Sequence, residues 1–174
     1  MKVFTIGHST RSLDDFIKIL KKFEIERLVD VRRFPTSRHH PWFDKNFLQK
    51  SLEKEGIEYI HLEELGGFRK IGYKEYVKTR EFRKALRKLE TLATEKTTAI
   101  MCSEFKWWKC HRKYIANELA KDNFEVIHIL DEKRIQVHNP LNDFIKEKMK
   151  AKVKCDKKNR LPSHIPLFFP FTYF

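Results

Sequence analysis

Strand-like and helix-like segments alternate along this chain with short connections, and this alternation limits the folds that it can adopt. Five short apolar segments are typical of buried strands, at residues 3–6, 28–31, 57–60, 97–101 and 124–129. Apolar residues recur at helical spacing between them, around residues 13–23, 47–52, 82–93 and 114–120. This order predicts a three-layer, Rossmann-like α/β fold, with a mainly parallel sheet of about five strands and helices on both faces.

Length and composition favour one globular domain. The 174 residues are 41% hydrophobic and 13% aromatic, which is too apolar for a disordered chain. No uninterrupted apolar run has membrane-spanning length, and Met1 leads into the first strand without a cleavage-site pattern. We therefore predict a cytoplasmic protein that has no membrane partner. Three cysteines at irregular spacing argue against a disulfide scaffold.

Positive charge is concentrated near the C-terminus. The formal net charge is +13, which favours polyanionic partners such as nucleic acid. The segment from Phe144 to Arg160 holds eight Lys or Arg residues and two acids, a net +6. We therefore divide the chain into an α/β domain, residues 1–140, and a basic, aromatic C-terminal extension, residues 141–174. The lysines either form a solvated face or contact phosphates in a salt-dependent way.

The extension ends in an aromatic segment that has two interpretations. Ile165, Phe168 and Phe169 resemble a peptide that binds a replication sliding clamp, although Pro162 stands where such a peptide has Gln. The alternative, which we favour, is that the tail docks on its own domain or on the mate in a homodimer.

Polar residues and glycines follow the ends of the first four predicted strands. In chain order they are His8 and Ser9, then Asp30, Arg32, Ser37 and Arg38, then Gly66 and Gly67, and Cys102. Ligands bind beyond the carboxyl ends of parallel strands, so we expect these residues to share one edge and one ligand site. The structural alternatives are a buried Asp30 held by arginines and a plain turn at the two glycines.

The strongest candidate site lies in the two motifs Cys102-Ser103-Glu104 and Cys110-His111-Arg112. They bring two thiols, a carboxylate, an imidazole and a guanidinium into eleven residues. Each group would need partners if it were buried, so a functional site is the better interpretation. The catalytic candidates are Cys102, Glu104, Cys110 and His111. We assign anion binding to Arg32, Arg38 and Arg112, while His8 and Ser9 complete the pocket.

Two chemistries stay open for these residues. Helix amides and cations such as Arg112 can lower a thiol pKa, so that Cys102 is a thiolate nucleophile beside an imidazole base. Alternatively, Cys102, Cys110 and His111 form a tetrahedral zinc or iron site together with His8 or His61. Cys102 could also be an inert buried thiol.

Two aromatic features have a structural and a functional interpretation. Trp107 and Trp108 are flanked by Lys106 and Lys109, a combination that stacks bases and binds phosphates in single-stranded nucleic acid sites. We favour the alternative that one tryptophan is in the core and the other covers the pocket. His128, on an apolar strand, is predicted to be a core histidine with satisfied hydrogen bonds.

The motifs together resemble the domain of unknown function 488 family. They are Gly7-His8-Ser9, Asp30-Val31-Arg32 with Pro35 and Ser37-Arg38, Leu65-Gly66-Gly67, and Cys102-x-Glu104 with Cys110-His111-Arg112. The likeness covers about residues 1–140 and implies a compact α/β domain with its polar signatures at one site, but no agreed activity. The five residues from Phe105 to Lys109 depart from the polar or acidic residues more usual there.

We therefore predict a protein that binds an anionic ligand, a nucleotide or nucleic acid, and performs thiol- or metal-assisted hydrolysis or group transfer. The alternative is a non-catalytic nucleic-acid-binding module that is recruited through its aromatic tail. No particular cofactor follows from the sequence.

Overall fold

The computed structural model describes residues 1–140. Its six strands are β1 (Lys2–Gly7), β2 (Arg27–Asp30), β3 (Glu58–His61), β4 (Thr98–Cys102), β5 (Glu125–Ile129) and β6 (Ile135–Val137). Its α-helices are α1 (Leu13–Lys22), α2 (Lys45–Lys54), α3 (Tyr73–Tyr76), α4 (Arg80–Glu95) and α5 (Arg112–Lys121). The predicted extension 141–174, with the clamp-like residues Ile165, Phe168 and Phe169, lies outside the described residues and stays a prediction.

The strands form one sheet in the order β3-β2-β4-β1-β5-β6. The first five strands run parallel, and β6 pairs antiparallel with β5. The predicted mainly parallel sheet is confirmed, with one additional edge strand. The three residues of β6 are all exposed, so they show no pattern of buried residues from which a strand could be predicted.

Side chains capping the helices explain where they begin. The Ser12 hydroxyl accepts a hydrogen bond from the Asp15 N–H at 3.1 Å and so caps α1. Thr79 caps α4 in the same way, through the Phe82 N–H at 3.2 Å. These caps satisfy backbone donors that the first helical turn leaves without a partner.

Helices cover both faces of the sheet, as predicted. On one face, α4 and α5 pack against strand residues such as Val3, Val29 and Ile100. On the opposite face, α1 and α2 pack against neighbours in the same strands, such as Phe4 and Leu28. Side chains that alternate between the two faces fill both cores, so nearly the whole length of β1, β2 and β4 is buried.

The order of the strands places a crevice at the carboxyl end of β4. This strand lies between β1 and β2, yet the helix that follows it, α5, packs on the face opposite to α1 and α2. The chain therefore leaves neighbouring strands toward opposite faces, which is where open α/β sheets bind ligands.

Trp107 and His128 belong to the structural core. The Trp107 indole is buried and stacks on the His128 imidazole, with ring centroids 3.8 Å apart. His128 Nδ1 lies 2.7 Å from Thr5 Oγ1, and Nε2 lies 3.0 Å from His138 Nδ1. The predictions of one core tryptophan and of a satisfied core histidine are confirmed. Trp108 is exposed and does not line the cavities described below, so it is not a lid over them.

None of the helices within residues 1–140 combines the length and the apolar character needed to span a membrane.

Candidate functional site

A cavity of about 480 Å³ opens at the carboxyl ends of β1, β2 and β4, within the usual size range of small-molecule sites. It brings together eight of the predicted site residues: His8, Arg32, Ser37, Gly67, Cys102, Glu104, Cys110 and His111. Ser9 lines an adjoining cavity that shares His8, Ser37 and Glu104 with the first. The predicted convergence of these strand ends is thus present in the structure.

Two sulfurs and one imidazole nitrogen form the centre of this site. The Cys102 Sγ, Cys110 Sγ and His111 Nδ1 atoms all lie within 4.8 Å of one another. His111 Nδ1 is 3.9 Å from the sulfur of Cys102 and 3.5 Å from that of Cys110. Cys102 ends β4, whereas a short 3₁₀ turn, Trp107–Lys109, brings Cys110 back to it just before α5.

A backbone hydrogen bond fixes the orientation and the tautomer of the His111 ring. Its Nε2 lies 2.9 Å from the carbonyl oxygen of Val31, which can only accept. The proton of the neutral ring is therefore on Nε2, and the lone pair of Nδ1 points to the two sulfurs. This nitrogen can accept a proton from a thiol or bind a metal ion.

The two thiols perturb each other in opposite directions. A hydrogen bond from the Cys102 thiol lowers the pKa of Cys110 to about 6, and the positive charge of Arg112 acts in the same direction. The same interaction, together with burial, raises the pKa of Cys102. The pair therefore shares one proton, and Cys110 carries the thiolate at neutral pH. Cys102, for which we predicted the role of nucleophile or metal ligand, is the thiol with the raised pKa, and its role stays a prediction.

His8 presents a buried nitrogen without a hydrogen-bond partner. Its Nδ1–H donates to the Ser9 carbonyl at 2.9 Å, whereas Nε2 is buried and has no partner among the described residues. Burial, together with the nearby positive charge of Arg32, lowers the His8 pKa to about 4. The ring is therefore neutral at pH 7 and offers a lone pair within the lining of the cavity.

Asp30 lies behind the site and holds Arg32 in place. It is fully buried and accepts hydrogen bonds from Arg32 Nε at 2.9 Å, Arg32 Nη2 at 2.6 Å and the Tyr59 hydroxyl at 2.7 Å. Arg32 lines the cavity but Asp30 does not. Of the two interpretations of Asp30, the structure thus shows the structural one, a buried carboxylate in an arginine fork.

Other predicted residues lie away from the cavity. Arg38 is exposed and lines neither cavity, and Gly66 packs against the backbone of Arg33. His61 Nε2 bonds to the Arg32 carbonyl at 2.9 Å, and neither His61 nor His8 joins the group of metal-binding atoms. The described residues therefore offer three ligands at this centre, whereas the metal-site alternative had four.

Arg112 has a different place from the anion-binding role that we assigned to it. It is 1% exposed and donates to the carbonyl oxygens of Glu104 and Phe105 and to the Thr5 hydroxyl. Its guanidinium therefore holds the loop between β4 and α5, and Arg112 lines neither cavity.

Several residues that line the cavity were not among the predicted site residues. They are Arg33, Phe34, Thr36, Phe68, Arg69, Tyr73, Ser103 and Lys109. Most of them are neighbours in sequence of a predicted residue, in the loops after β2, β3 and β4. Their position next to the motifs is the sequence feature that could have identified them. Tyr73, at the start of α3, gave no signal in the sequence.

Gly7, which belongs to one of the family motifs, permits a close approach of two loops. A Cβ atom at this position would lie 2.0 Å from the Glu104 carbonyl oxygen. The end of β1 can therefore pair with the loop that follows Cys102 only when residue 7 has no side chain.

A protein-family model described as "Domain of unknown function DUF488" matches residues 12–119. Comparisons with curated proteins and with solved structures give no match. The matched segment spans more than half of the chain and includes the loops after β2 and β3 and both cysteine motifs. The chain belongs to the DUF488 family, a family of domains of unknown function.

Proposed function

We propose that this protein is an enzyme that performs hydrolysis or group transfer on a phosphate-bearing ligand of the nucleotide class, with the Cys/His centre as its reactive group. The observation that carries this proposal is that the cysteines and His111 line the same cavity as several cations. Reactive groups and charge-binding groups that converge on one cavity are what catalysis of anion chemistry needs.

Positive charge predominates in the lining of the cavity. Arg32, Arg33, Arg69 and Lys109 all contribute to it, whereas Glu104 is its acidic residue. The Asp30 carboxylate orients the Arg32 guanidinium before any ligand arrives, so less conformational entropy is lost on binding. This balance favours an anionic ligand, and planar guanidinium groups suit phosphate oxygens.

Two exposed aromatic rings favour a ligand that also carries a flat apolar group. Phe34 is 66% and Phe68 is 91% exposed, and both line the cavity with their ring centroids 6.4 Å apart. Large exposed aromatic side chains beside arginines are a common platform for nucleobases, each stacked base contributing about 1–3 kcal/mol. A nucleobase on the phenylalanines and a phosphate on the arginines would use both features.

Three side chains supply groups for proton transfer and nucleophilic chemistry. The Cys110 thiolate is a nucleophile or a metal ligand, because both roles require the deprotonated sulfur. Glu104 is exposed on the lining and can act as a general acid or base. The His8 Nε2 atom can accept a hydrogen bond or a proton from a ligand hydroxyl.

Turnover by the full chain tests the proposal. Nucleoside mono-, di- and triphosphates and short single-stranded oligonucleotides are incubated with the protein, and products are identified by chromatography and mass spectrometry. We expect Cys110→Ser and Glu104→Gln to lower turnover at least about 100-fold while ligand binding persists. The control is Glu24→Gln, a change of an exposed residue before β2, at the amino-terminal ends of the strands and away from the cavity. It should leave turnover unchanged.

The opposite result would favour the non-catalytic alternative. If no product forms from any of these compounds, and if oligonucleotide affinity depends on salt but not on Cys110 or Glu104, the protein is a nucleic-acid-binding module. The proposed enzyme function would then be wrong.

A further inference from the structure

We propose that the two cysteines and His111 bind one Zn²⁺ ion through Cys102 Sγ, Cys110 Sγ and His111 Nδ1, with a fourth coordination position that faces the cavity. This inference deepens the proposed function and rests on it only for the identity of the group that takes the fourth position. Binding of the metal itself depends on the three protein ligands alone.

The two sulfur–nitrogen distances already fit tetrahedral coordination. Zinc binds sulfur at about 2.3 Å and nitrogen at about 2.0–2.1 Å, so tetrahedral angles separate a sulfur and a nitrogen ligand by about 3.6 Å. His111 Nδ1 lies 3.5 Å from one sulfur and 3.9 Å from the other. Two sulfur ligands of a tetrahedral zinc ion lie about 3.8 Å apart. The two sulfurs here lie within 4.8 Å of each other, so binding requires them to approach by up to about 1 Å.

The surroundings of His111 resemble those of a metal-binding histidine. Such a histidine usually donates its second ring N–H to a carbonyl or a carboxylate, which fixes the ring and makes the first nitrogen a better ligand. The Val31 carbonyl takes this role for Nε2 at 2.9 Å. The backbone of Gly67 lies so close that a Cβ there would be 3.2 Å from Nδ1. The Tyr73 ring packs against the imidazole, with ring centroids 5.1 Å apart.

The donor set selects the class of metal. Two thiolates and one imidazole suit zinc, whereas magnesium and calcium require oxygen ligands. Two thiolates also balance the charge of a divalent ion, and any proton that a thiol carries is released to solvent on binding. Three protein ligands with one open position are typical of catalytic zinc, while structural sites have four protein ligands.

The fourth position has the neighbours that a catalytic zinc ion would use. Both sulfurs line the cavity that also contains Glu104 and Arg32. A water molecule or a ligand oxygen on zinc would therefore lie beside a carboxylate that can take its proton and a guanidinium that can bind an adjacent anion.

Metal titration of the full chain tests the inference. The protein is stripped with a chelator, shown to remain folded by circular dichroism, and titrated with Zn²⁺ in competition with a chromophoric chelator. We expect one Zn²⁺ per chain, and with Co²⁺ a near-ultraviolet thiolate-to-metal charge-transfer band. Cys102→Ser, Cys110→Ser and His111→Ala should each weaken binding at least about 100-fold. Cys155→Ser and His39→Gln are matched controls and should bind as the wild type does.

A measurement on the wild type keeps the inference testable if a variant fails to fold. Stoichiometric Zn²⁺ should protect Cys102 and Cys110 from alkylation, as seen by peptide mapping, whereas Mg²⁺ should not. Zinc that binds with less than one ion per chain, or that leaves both cysteines as reactive as in the metal-free protein, would overturn the inference.

Failure of the zinc site can be told from failure of the proposed function. Nucleotide binding and turnover are measured on the chelator-treated protein in parallel. If no zinc binds at the three residues while turnover persists without metal and requires Cys110, the zinc inference is wrong and the proposed function stands. If zinc binds through the three residues but no nucleotide is bound or turned over, the zinc inference stands and the proposed function is wrong.

Discussion

Cys102 and Cys110 show how two identical side chains acquire different chemistry from their surroundings. Cys110 precedes α5, near the charge of Arg112, whereas Cys102 lies at the buried end of β4. The pKa of Cys110 is therefore lowered and that of Cys102 is raised, because the Cys102 thiol donates the shared proton to the Cys110 thiolate. The sequence motif alone, which contains both cysteines, did not reveal which of them would be ionised.

The pH dependence of alkylation tests this difference in the metal-free protein. Because the Cys110 pKa is lowered to about 6, half of the thiolate is protonated at that pH, so its reaction with iodoacetamide should rise with a midpoint near pH 6 and level off above it. Cys102→Ala removes the thiol that donates to it and should move the midpoint upward. Peptide mapping by mass spectrometry assigns the reacting residue. A midpoint near the ordinary thiol value of about 8.5 in both proteins would contradict the shared proton.

We predict that Asp30 stabilises the fold because its carboxylate neutralises the buried Arg32 guanidinium. Asp30→Asn leaves the Arg32 guanidinium, 4% exposed, without a counter-charge and should lower the free energy of unfolding by about 3–5 kcal/mol. Tyr59→Phe removes one hydrogen bond to the carboxylate and should cost less, about 1.5–3 kcal/mol. Urea unfolding measures both. Glu75→Gln, in an exposed pair with Lys78, is the control, and an Asp30→Asn variant as stable as this control would refute the assignment.

At the scale of helices and strands, the alternation of apolar segments predicted the fold because each buried strand is a short apolar segment that can be recognised by itself. The loops after β1, β2 and β4 were correctly expected to meet, since parallel strands end at one edge of the sheet. The direction of each side chain was not predictable. The Arg112 side chain lies in the core, where it donates hydrogen bonds to carbonyl oxygens of the loop before α5. These carbonyl oxygens are brought within its reach only in the folded chain, so the sequence does not show the contact.

The end of β1 provides a test of how the elements fit together. In Gly7→Ala the new Cβ meets backbone atoms of Glu104 at 2.0 and 2.6 Å, and a backbone cannot rotate away as a side chain does. We expect the free energy of unfolding to fall by about 1–3 kcal/mol or more, because the loop before α5 has to move. Ser103→Ala changes an exposed side chain in the same loop and should cost under about 0.5 kcal/mol. Urea unfolding of the two variants compares them, and equal stabilities would show that this close approach is unimportant.

Most of the positive charge of the whole molecule lies outside the cavity. Four cations line the cavity, whereas the segment 144–160 alone adds eight Lys or Arg residues to a chain of net charge +13. An excess of this size attracts polyanions over the range of a Debye length, about 8 Å at physiological ionic strength. We therefore expect nucleic acid to bind with two separable contributions, one from the cavity and one from the lysine-rich segment.

The salt dependence of oligonucleotide binding separates these contributions. Each phosphate contact contributes about −0.7 to the slope of log affinity against log salt for single strands. Four substitutions to Gln, at Lys148, Lys150, Lys152 and Lys154, should therefore make the slope shallower by up to about 3, since each removes one cation of the segment. The matched control removes the same charge at exposed helix positions, through substitutions to Gln at Lys18, Lys22, Lys50 and Lys54. Fluorescence anisotropy with a labelled single strand measures both. If the two variants lose the same slope, net charge alone explains the binding, and the lysine-rich segment has no contact of its own with the phosphates.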